Sequence, residues 1–281
     1  MSRASCLCGA VTWELEGPYV FMHHCHCGRC RKAHGTPFAT YIGAIQDHFR
    51  LRGAEHVATW EAQPGASRSF CGLCGAVVPG APFSGLVFAP AGNLEDDPGE
   101  RPGDHIFVGS KAPWYEIPDD LPRFDAYPPG VDANVLPDPP RREPPPGAIR
   151  GSCLCGAVAF AIEAPPVLAR NCHCGRCRRG RSAAYAANLF APVDGIRFTR
   201  GADNLRSYKV PEAQRFAQAF CRTCGSPMPR LDRDRGLAVV PMGSLDDHPG
   251  VTPTSHIFVG SRAPWFEIAD RLPQHDEYPP A

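Results

Sequence analysis

Seven cysteines occur in one order twice along this chain: C-x-C, then C-x-C-x-x-C, then C-x-x-C. In the first copy they are Cys6 and Cys8, then Cys25, Cys27 and Cys30, then Cys71 and Cys74. In the second they are Cys153 and Cys155, then Cys172, Cys174 and Cys177, then Cys221 and Cys224. No other feature restricts the fold as tightly, because thiols spaced this closely must converge on shared points. Neighbours in a C-x-C pair do not easily reach disulfide geometry. The N-terminal stretch MSRASCLCGAVTWELEG is also not expected to be a secretory signal, since it has no apolar core segment and its charges arrive early. The expectation is a cytoplasmic protein whose fourteen thiols are reduced and hold metal.

The text around the cysteines repeats as well. SCLCGAVTWELEG at 5–17 returns as SCLCGAVAFAIEA at 152–164, and HIFVGSKAPWYEI at 105–117 returns as HIFVGSRAPWFEI at 256–268. Between the copies, residues 128–146 hold eight prolines and no periodic apolar pattern, as an extended spacer would. The reading is two homologous domains, 1–128 and 148–281, joined by a Pro-rich linker at 129–147.

Within each unit the local signals are mainly β. Val11, Trp13 and Leu15 alternate with polar residues, as do Val158, Phe160 and Ile162 in the second copy. Short runs such as FATYIGA, LVFAPAG, LRSYKV and LAVVPMG are bounded by Gly and Pro. One or two helical turns could follow the three-thiol loop at 29–34, and no long amphipathic helix is expected.

Cysteine arithmetic then divides each set. Zinc takes four tetrahedral ligands in a structural site, and thiolate pairs on tight turns are one way to supply them. Glycine follows Cys8, Cys74, Cys155 and Cys224, permitting a left-handed backbone at each turn. These pairs predict closed sites at Cys6, Cys8, Cys71, Cys74 and at Cys153, Cys155, Cys221, Cys224. Each remaining C-x-C-x-x-C loop offers three sulfurs and leaves a fourth position open, the pattern of a reactive site. A histidine among His23, His24, His105 and His256 could instead complete the loops, making all four sites structural. His26 and His173, between ligands, are expected to make supporting hydrogen bonds rather than to ligate.

Charge excludes one class of function. The 29 basic and 29 acidic residues balance, and no long basic run exists, so the footprint of a nucleic-acid binder is missing. No apolar run approaches the roughly 20 residues needed to span a bilayer.

The series SCxCGAV, CHCxxCR, FCxxCG and HI…APW resembles the glutathione-dependent formaldehyde-activating enzyme family, which includes centromere protein V. The resemblance covers nearly all of both units. It implies a Mss4-like β-tent fold, with a structural zinc on the outer four cysteines and a catalytic zinc on the three-cysteine loop. Two zinc ions per domain, four per chain, would follow. It also implies carbon–sulfur lyase chemistry, joining glutathione to formaldehyde with both as small-molecule partners. Members usually carry one such domain, so the tandem is a departure.

Glutathione is anionic. Arg29, Arg31 and Lys32, with Arg176, Arg178 and Arg179, sit in or just after the loops as candidate carboxylate contacts. His105 and His256 are candidate proton-transfer groups, and Trp114 and Trp265 either wall a pocket or pack. The copies differ after the loop, where Gly35 aligns with Ser182 and Phe38 with Tyr185. Two other functions fit the sequence: a non-catalytic zinc-binding interaction module, and a zinc store or thiol redox sensor.

Overall fold

The computed structural model describes residues 1–63, 66–131, 135–139 and 147–280. The expected linker falls largely outside them, with 132–134 and 140–146 not described. The described residues are mainly β. In the first unit β1 (Ser2–Ser5), β2 (Thr12–Leu15) and β5 (Phe49–Arg52) form one antiparallel sheet. A second sheet runs in the order β10 (Arg123–Phe124), β9 (Asp104–Ile106), β3 (Tyr19–Cys25), β4 (Ala39–Ile45) and β8 (Leu86–Pro90). A hairpin of β6 (Val57–Glu61) and β7 (Ser67–Cys71) completes the unit.

The second unit repeats this plan. Its first sheet is β11 (Ile149–Ser152), β12 (Ala159–Ile162) and β15 (Ile196–Arg200). Its second orders β19 (Arg230–Asp232), β20 (Leu237–Pro241), β14 (Ala186–Pro192), β13 (Leu168–Cys172), β21 (His256–Ile257) and β22 (Gln274–His275). Here the hairpin has three strands, β16 (Leu205–Lys209), β17 (Ala217–Cys221) and β18 (Pro227–Met228). Among the described residues each unit has one short α-helix, α1 (Gly28–His34) and α2 (Gly175–Arg181), which begins within the three-cysteine loop.

The alternation read from sequence is the alternation of burial. Val11, Trp13 and Leu15 are at most 1% exposed, while Thr12 and Glu14 between them are half-buried. All four Gly- and Pro-bounded runs are strands: β4, β8, β16 and β20. Burying each large apolar side chain stabilises the fold by about 1.5–3 kcal/mol.

The units share a single apolar core, in which Trp13, Leu15 and Trp114 of the first join Phe160, Met242 and Trp265 of the second. The seam has approximate two-fold symmetry. Helix α1 packs on the 3-10 turn Met242–Ser244, and α2 packs on the matching turn Ala91–Asn93. A Cβ on Gly243 would stand 2.2 Å from the Thr36 nitrogen, so only glycine lets the loop approach α1 this closely. Gly75 and Gly225, which follow Cys74 and Cys224, have φ of 77° and 74°, the left-handed backbone expected there. Each also lies under a phenylalanine of the other unit, Phe220 over Gly75 and Phe70 over Gly225, where a Cβ would come within 2.4 Å of the ring.

Polar groups reinforce the seam. The Lys32 ammonium, buried at 6% exposure, donates to the Ser152 carbonyl and hydroxyl at 2.8 Å and to Asp246 at 2.5 Å. At the symmetric place Arg179 donates to the Ser5 hydroxyl at 3.3 Å, and Ser5 donates to Glu95 at 2.6 Å. His34 donates through Nδ1 to the Arg181 carbonyl at 2.8 Å and accepts at Nε2 from Tyr41.

Candidate functional site

The outer cysteines sit where turns leave strands. Cys6 and Cys8 follow β1, Cys71 ends β7 and Cys74 lies in the next turn. The four sulfurs lie within 4.8 Å of one another, as do those of Cys153, Cys155, Cys221 and Cys224. Sulfur–sulfur separations are 3.5 Å for Cys6–Cys8 and 3.6 Å for Cys8–Cys71; the second set has 3.5 and 3.7 Å. A tetrahedron with metal–sulfur bonds of about 2.3 Å has edges of about 3.8 Å, and a disulfide needs about 2.05 Å. The donor set therefore fits one zinc ion and does not fit a disulfide. Backbone amides of Val11 and Val158 donate to Cys6 and Cys153 at 3.3 and 3.2 Å, which supports thiolate character. So many thiols cannot all ionise without a cation. In each group the shared hydrogen bonds push one thiol far below the usual range and another far above it, Cys6 against Cys74 in the first and Cys224 against Cys153 in the second.

The three-cysteine loops are built identically. Cys25 ends β3, pairing with Ala39 on one side and with Ile106 on the other. Cys27 is the N-cap of α1, its sulfur accepting the Cys30 amide at 3.4 Å, and Cys30 lies in the first turn. The cations Arg31 and Lys32 in the last turn favour the helix electrostatically. Cys172, Cys174 and Cys177 repeat the arrangement, with the same 3.4 Å cap bond. Each trio of sulfurs lies within 4.8 Å, and neither group includes a histidine. His24 instead hydrogen-bonds Thr40 through Nδ1 at 2.8 Å, and His23 lies 3.9 Å from Asp104.

Behind each loop runs a chain of three side chains. The parallel pairing of β9 with β3 places His105 opposite His24, next to the loop. His105 donates through Nε2 to Asp119 at 2.8 Å, so its Nδ1 accepts, and His26 donates to it through Nε2 at 2.8 Å. The second unit repeats this, with His173 to His256 at 2.8 Å and His256 to Asp270 at 3.0 Å. Burial, then the nearby His105 or His256, lowers His26 and His173 to about 3, so both are neutral near pH 7. Asp119 and Asp270 escaped the sequence reading. Their signal was the repeated register of PWYEIPDDLP with PWFEIADRLP.

The HIFVGS block is explained by the same region. Phe107 and Phe258 both have φ of 58°, a strained backbone for a bulky side chain. Their rings meet Tyr127 and Tyr278 edge-on at 5.0 and 5.1 Å, and Phe107 and Tyr127 pack on the Cys25–Cys30 cluster. Trp114 and Trp265 belong to the common core instead.

The predicted cations divide. Arg29 stays beside its loop, half-buried and 3.5 Å from the Ala66 carbonyl, and Arg176 is exposed with its guanidinium 6.0 Å from the Phe216 ring centre. Lys32 and Arg179 face the other unit, as described, and Arg178 donates to the carbonyls of Gly92 and Leu94. Arg31 is buried at 6% exposure. A further cation, Arg68 on β7, was missed by sequence. Its Nη2 donates to the Cys30 sulfur at 3.3 Å, and the negative charge of the cysteines keeps it protonated despite burial. The second unit has Gln218 at this place, and that side chain bonds the Cys74 carbonyl across the seam. Gly35 and Ser182 are left-handed C-caps of α1 and α2, while Phe38 and Tyr185 meet edge-on at 5.8 Å where the units join. Neither difference lies within a three-cysteine group.

The chain is similar to known proteins in both halves. Its residues 1–110 and 148–261 match the model of the glutathione-dependent formaldehyde-activating enzyme family. A Halomonas elongata protein whose name carries that family description is 32% identical over 128 residues, covering 41% of this chain and 80% of the relative. A Rhodobacter sphaeroides protein of known crystal structure is 33% identical, covering 37% of this chain and 97% of its own, with a TM-score of 0.28. With most of its length matched in two separate stretches, the chain belongs to the glutathione-dependent formaldehyde-activating enzyme family and carries the family's domain twice.

Proposed function

We propose that this chain is a zinc-dependent enzyme of carbon–sulfur bond chemistry, joining a small thiol, glutathione, to formaldehyde or a similar aldehyde and reversing that step as a lyase. The observation that carries the reading is the pairing, in each unit, of a four-sulfur group with a three-sulfur group. The four-sulfur groups would close around structural zinc, and the three-sulfur groups would hold zinc with one position free for a reactant. Zinc bound there supplies a place where an entering thiol loses its proton.

The chain's own residues would do the rest. Cys25, Cys27 and Cys30, or Cys172, Cys174 and Cys177, hold the ion from a strand end and a helix first turn, two rigid elements. His26 and His173, fixed as one tautomer by His105–Asp119 and His256–Asp270, orient the backbone between the first two ligands. Arg29 and Arg176 flank the loops as carboxylate contacts. The net reaction forms one bond from sulfur to the carbonyl carbon, and the proton of the thiol ends on the aldehyde oxygen. His105 and His256, 1% exposed and bonded on both ring nitrogens, act in this reading by orienting rather than by exchanging protons with substrate.

The test is the rate of S-hydroxymethylglutathione formation from labelled formaldehyde, followed by nuclear magnetic resonance. Zinc-loaded protein accelerates it over the buffer rate and chelator-treated protein does not. Equal rates with and without the protein reject the assignment.

A further inference from the structure

The two loops share a backbone but not a cover. Over the first lies a strap, residues 135–139 of the segment between the units. Its Asp138 accepts the Gly28 amide at 2.7 Å, between the ligands Cys27 and Cys30. The carboxyl carbon and both oxygens of Asp138 lie 3.0–3.2 Å from where a Gly28 Cβ would stand. At the matching Gly175 no atom of the described residues lies within 4 Å of that point. Burial follows the same division. Gly28 and Cys30 are buried and Arg29 half-buried, whereas Gly175 and Cys177 are half-buried and Arg176 exposed. Tyr127 is half-buried against the first cluster, and its counterpart Tyr278 is 69% exposed.

Charge points the same way. Three thiolates around a divalent ion leave a net negative site; at the first loop the buried Arg68 guanidinium, 3.3 Å from Cys30, offsets that charge, while Asp138 sets a negative group on the amide between the ligands. A carboxylate-bearing thiol approaching there meets both a steric cover and the like charge of Asp138. At the second loop it meets an uncovered helix turn and the free face of Arg176.

We propose that Asp138, with the strap of residues 135–139, is a specificity-determining residue: it shuts the first loop to anionic thiols and leaves them to Cys172, Cys174 and Cys177. The identity of the thiol rests on the glutathione reading; the difference between the loops does not.

Two measurements on the zinc-loaded full chain separate these. In the first, Cys27 and Cys174, the matching half-buried ligands, are alkylated by anionic iodoacetate and by neutral iodoacetamide, and peptide mass spectrometry gives the rates. The iodoacetate-to-iodoacetamide ratio is expected to be about tenfold lower at Cys27 than at Cys174, the change that about 1.4 kcal/mol of repulsion produces. Asp138→Asn, which removes the charge and keeps an acceptor for Gly28, raises the ratio at Cys27 and leaves Cys174 unchanged. Equal ratios in the wild-type chain, or a ratio at Cys27 that the variant does not move, overturn the proposal. In the second, glutathione is titrated calorimetrically. One binding site in the wild type and two in Asp138→Ala support the strap, and two sites in the wild type overturn it. Unequal alkylation with no glutathione binding rejects glutathione as the thiol and leaves the strap standing.

Discussion

The first and second three-cysteine loops share the cysteines, the capped helix turn, the Asp–His–His chain and the Phe–Tyr pair, and differ in what covers them. The first has Arg68 on Cys30, Asp138 on Gly28 and Tyr127 against the cluster. The second has Gln218 turned to the seam, no cover over Gly175 among the described residues and an exposed Tyr278. Its buried guanidinium comes from Arg181, at the position of His34, and bonds Asn188. Duplication has thus preserved the metal geometry and let the approach to it diverge. Parts that hold an ion tolerate little change, whereas parts that cover it can be exchanged within an intact scaffold.

The largest effect that could break this comparison lies in the outer groups. Cys74→Ser and Cys224→Ser each remove one of four ligands, and structural zinc in small domains contributes about 10–16 kcal/mol of folding free energy. Because the core is shared, either variant is expected to destabilise both units in one transition by circular dichroism. A half-amplitude transition would show that the units fold separately. Next comes the seam. Lys32→Met leaves the Asp246 carboxylate with the Ser152 hydroxyl but no cation and should cost about 3 kcal/mol in denaturant titration, whereas Arg179→Met, which breaks a 3.3 Å bond to a hydroxyl, should cost about 1 kcal/mol. Equal losses would mean the seam is energetically symmetric.

Activity gives the next step down. Cys174→Ser should lower kcat/KM for glutathione by about 100-fold or more, about 2.7 kcal/mol, while Cys27→Ser retains most of it. The reverse order would place the working site in the first unit. Asp119→Asn and Asp270→Asn should each weaken zinc about tenfold at its own loop and leave the other loop unchanged, read by competition with a chelator.

The smallest effect concerns pH. Burial lowers His23, His24, His26 and His34 in the first unit, to about 4, well below normal, about 3 and about 4. The second unit has only His173 in this class, with Arg170, Asn171 and Arg181 at the other places. Each such histidine binds its proton more readily when unfolded, at about 6.5. Its stability contribution is therefore intact above about pH 6.5 and is lost as pH falls towards its folded value, by about 1.4 kcal/mol per pH unit. His34→Gln should flatten the decline between pH 6 and pH 4.5 in denaturant midpoints, and a matching His173→Gln should do no more. A decline unchanged by His34→Gln would assign acid sensitivity to the thiolates.

Much of this was legible in the sequence because it is local. Cysteine spacing separates the four-sulfur from the three-sulfur groups, glycine marks the left-handed turns, and alternation at Val11, Trp13 and Leu15 marks a half-covered strand. What was not legible is non-local. The partner of Lys32 lies 214 residues away, and nothing near Lys32 distinguishes a seam cation from a substrate contact. Arg68 reaches Cys30 across 38 residues only because β7 passes the loop. Asp138 sits in a run whose proline content reads as spacer, and only its placement on Gly28 gives it meaning.

The most direct test of the division between closed and open metal sites is cadmium-113 magnetic resonance of the cadmium-substituted chain, before and after glutathione. Two resonances of four-sulfur type and two of three-sulfur type are expected, with glutathione moving one of the latter towards the four-sulfur position and Cys174→Ser abolishing that movement. Four resonances of four-sulfur type, or three-sulfur resonances that glutathione leaves in place, would contradict it.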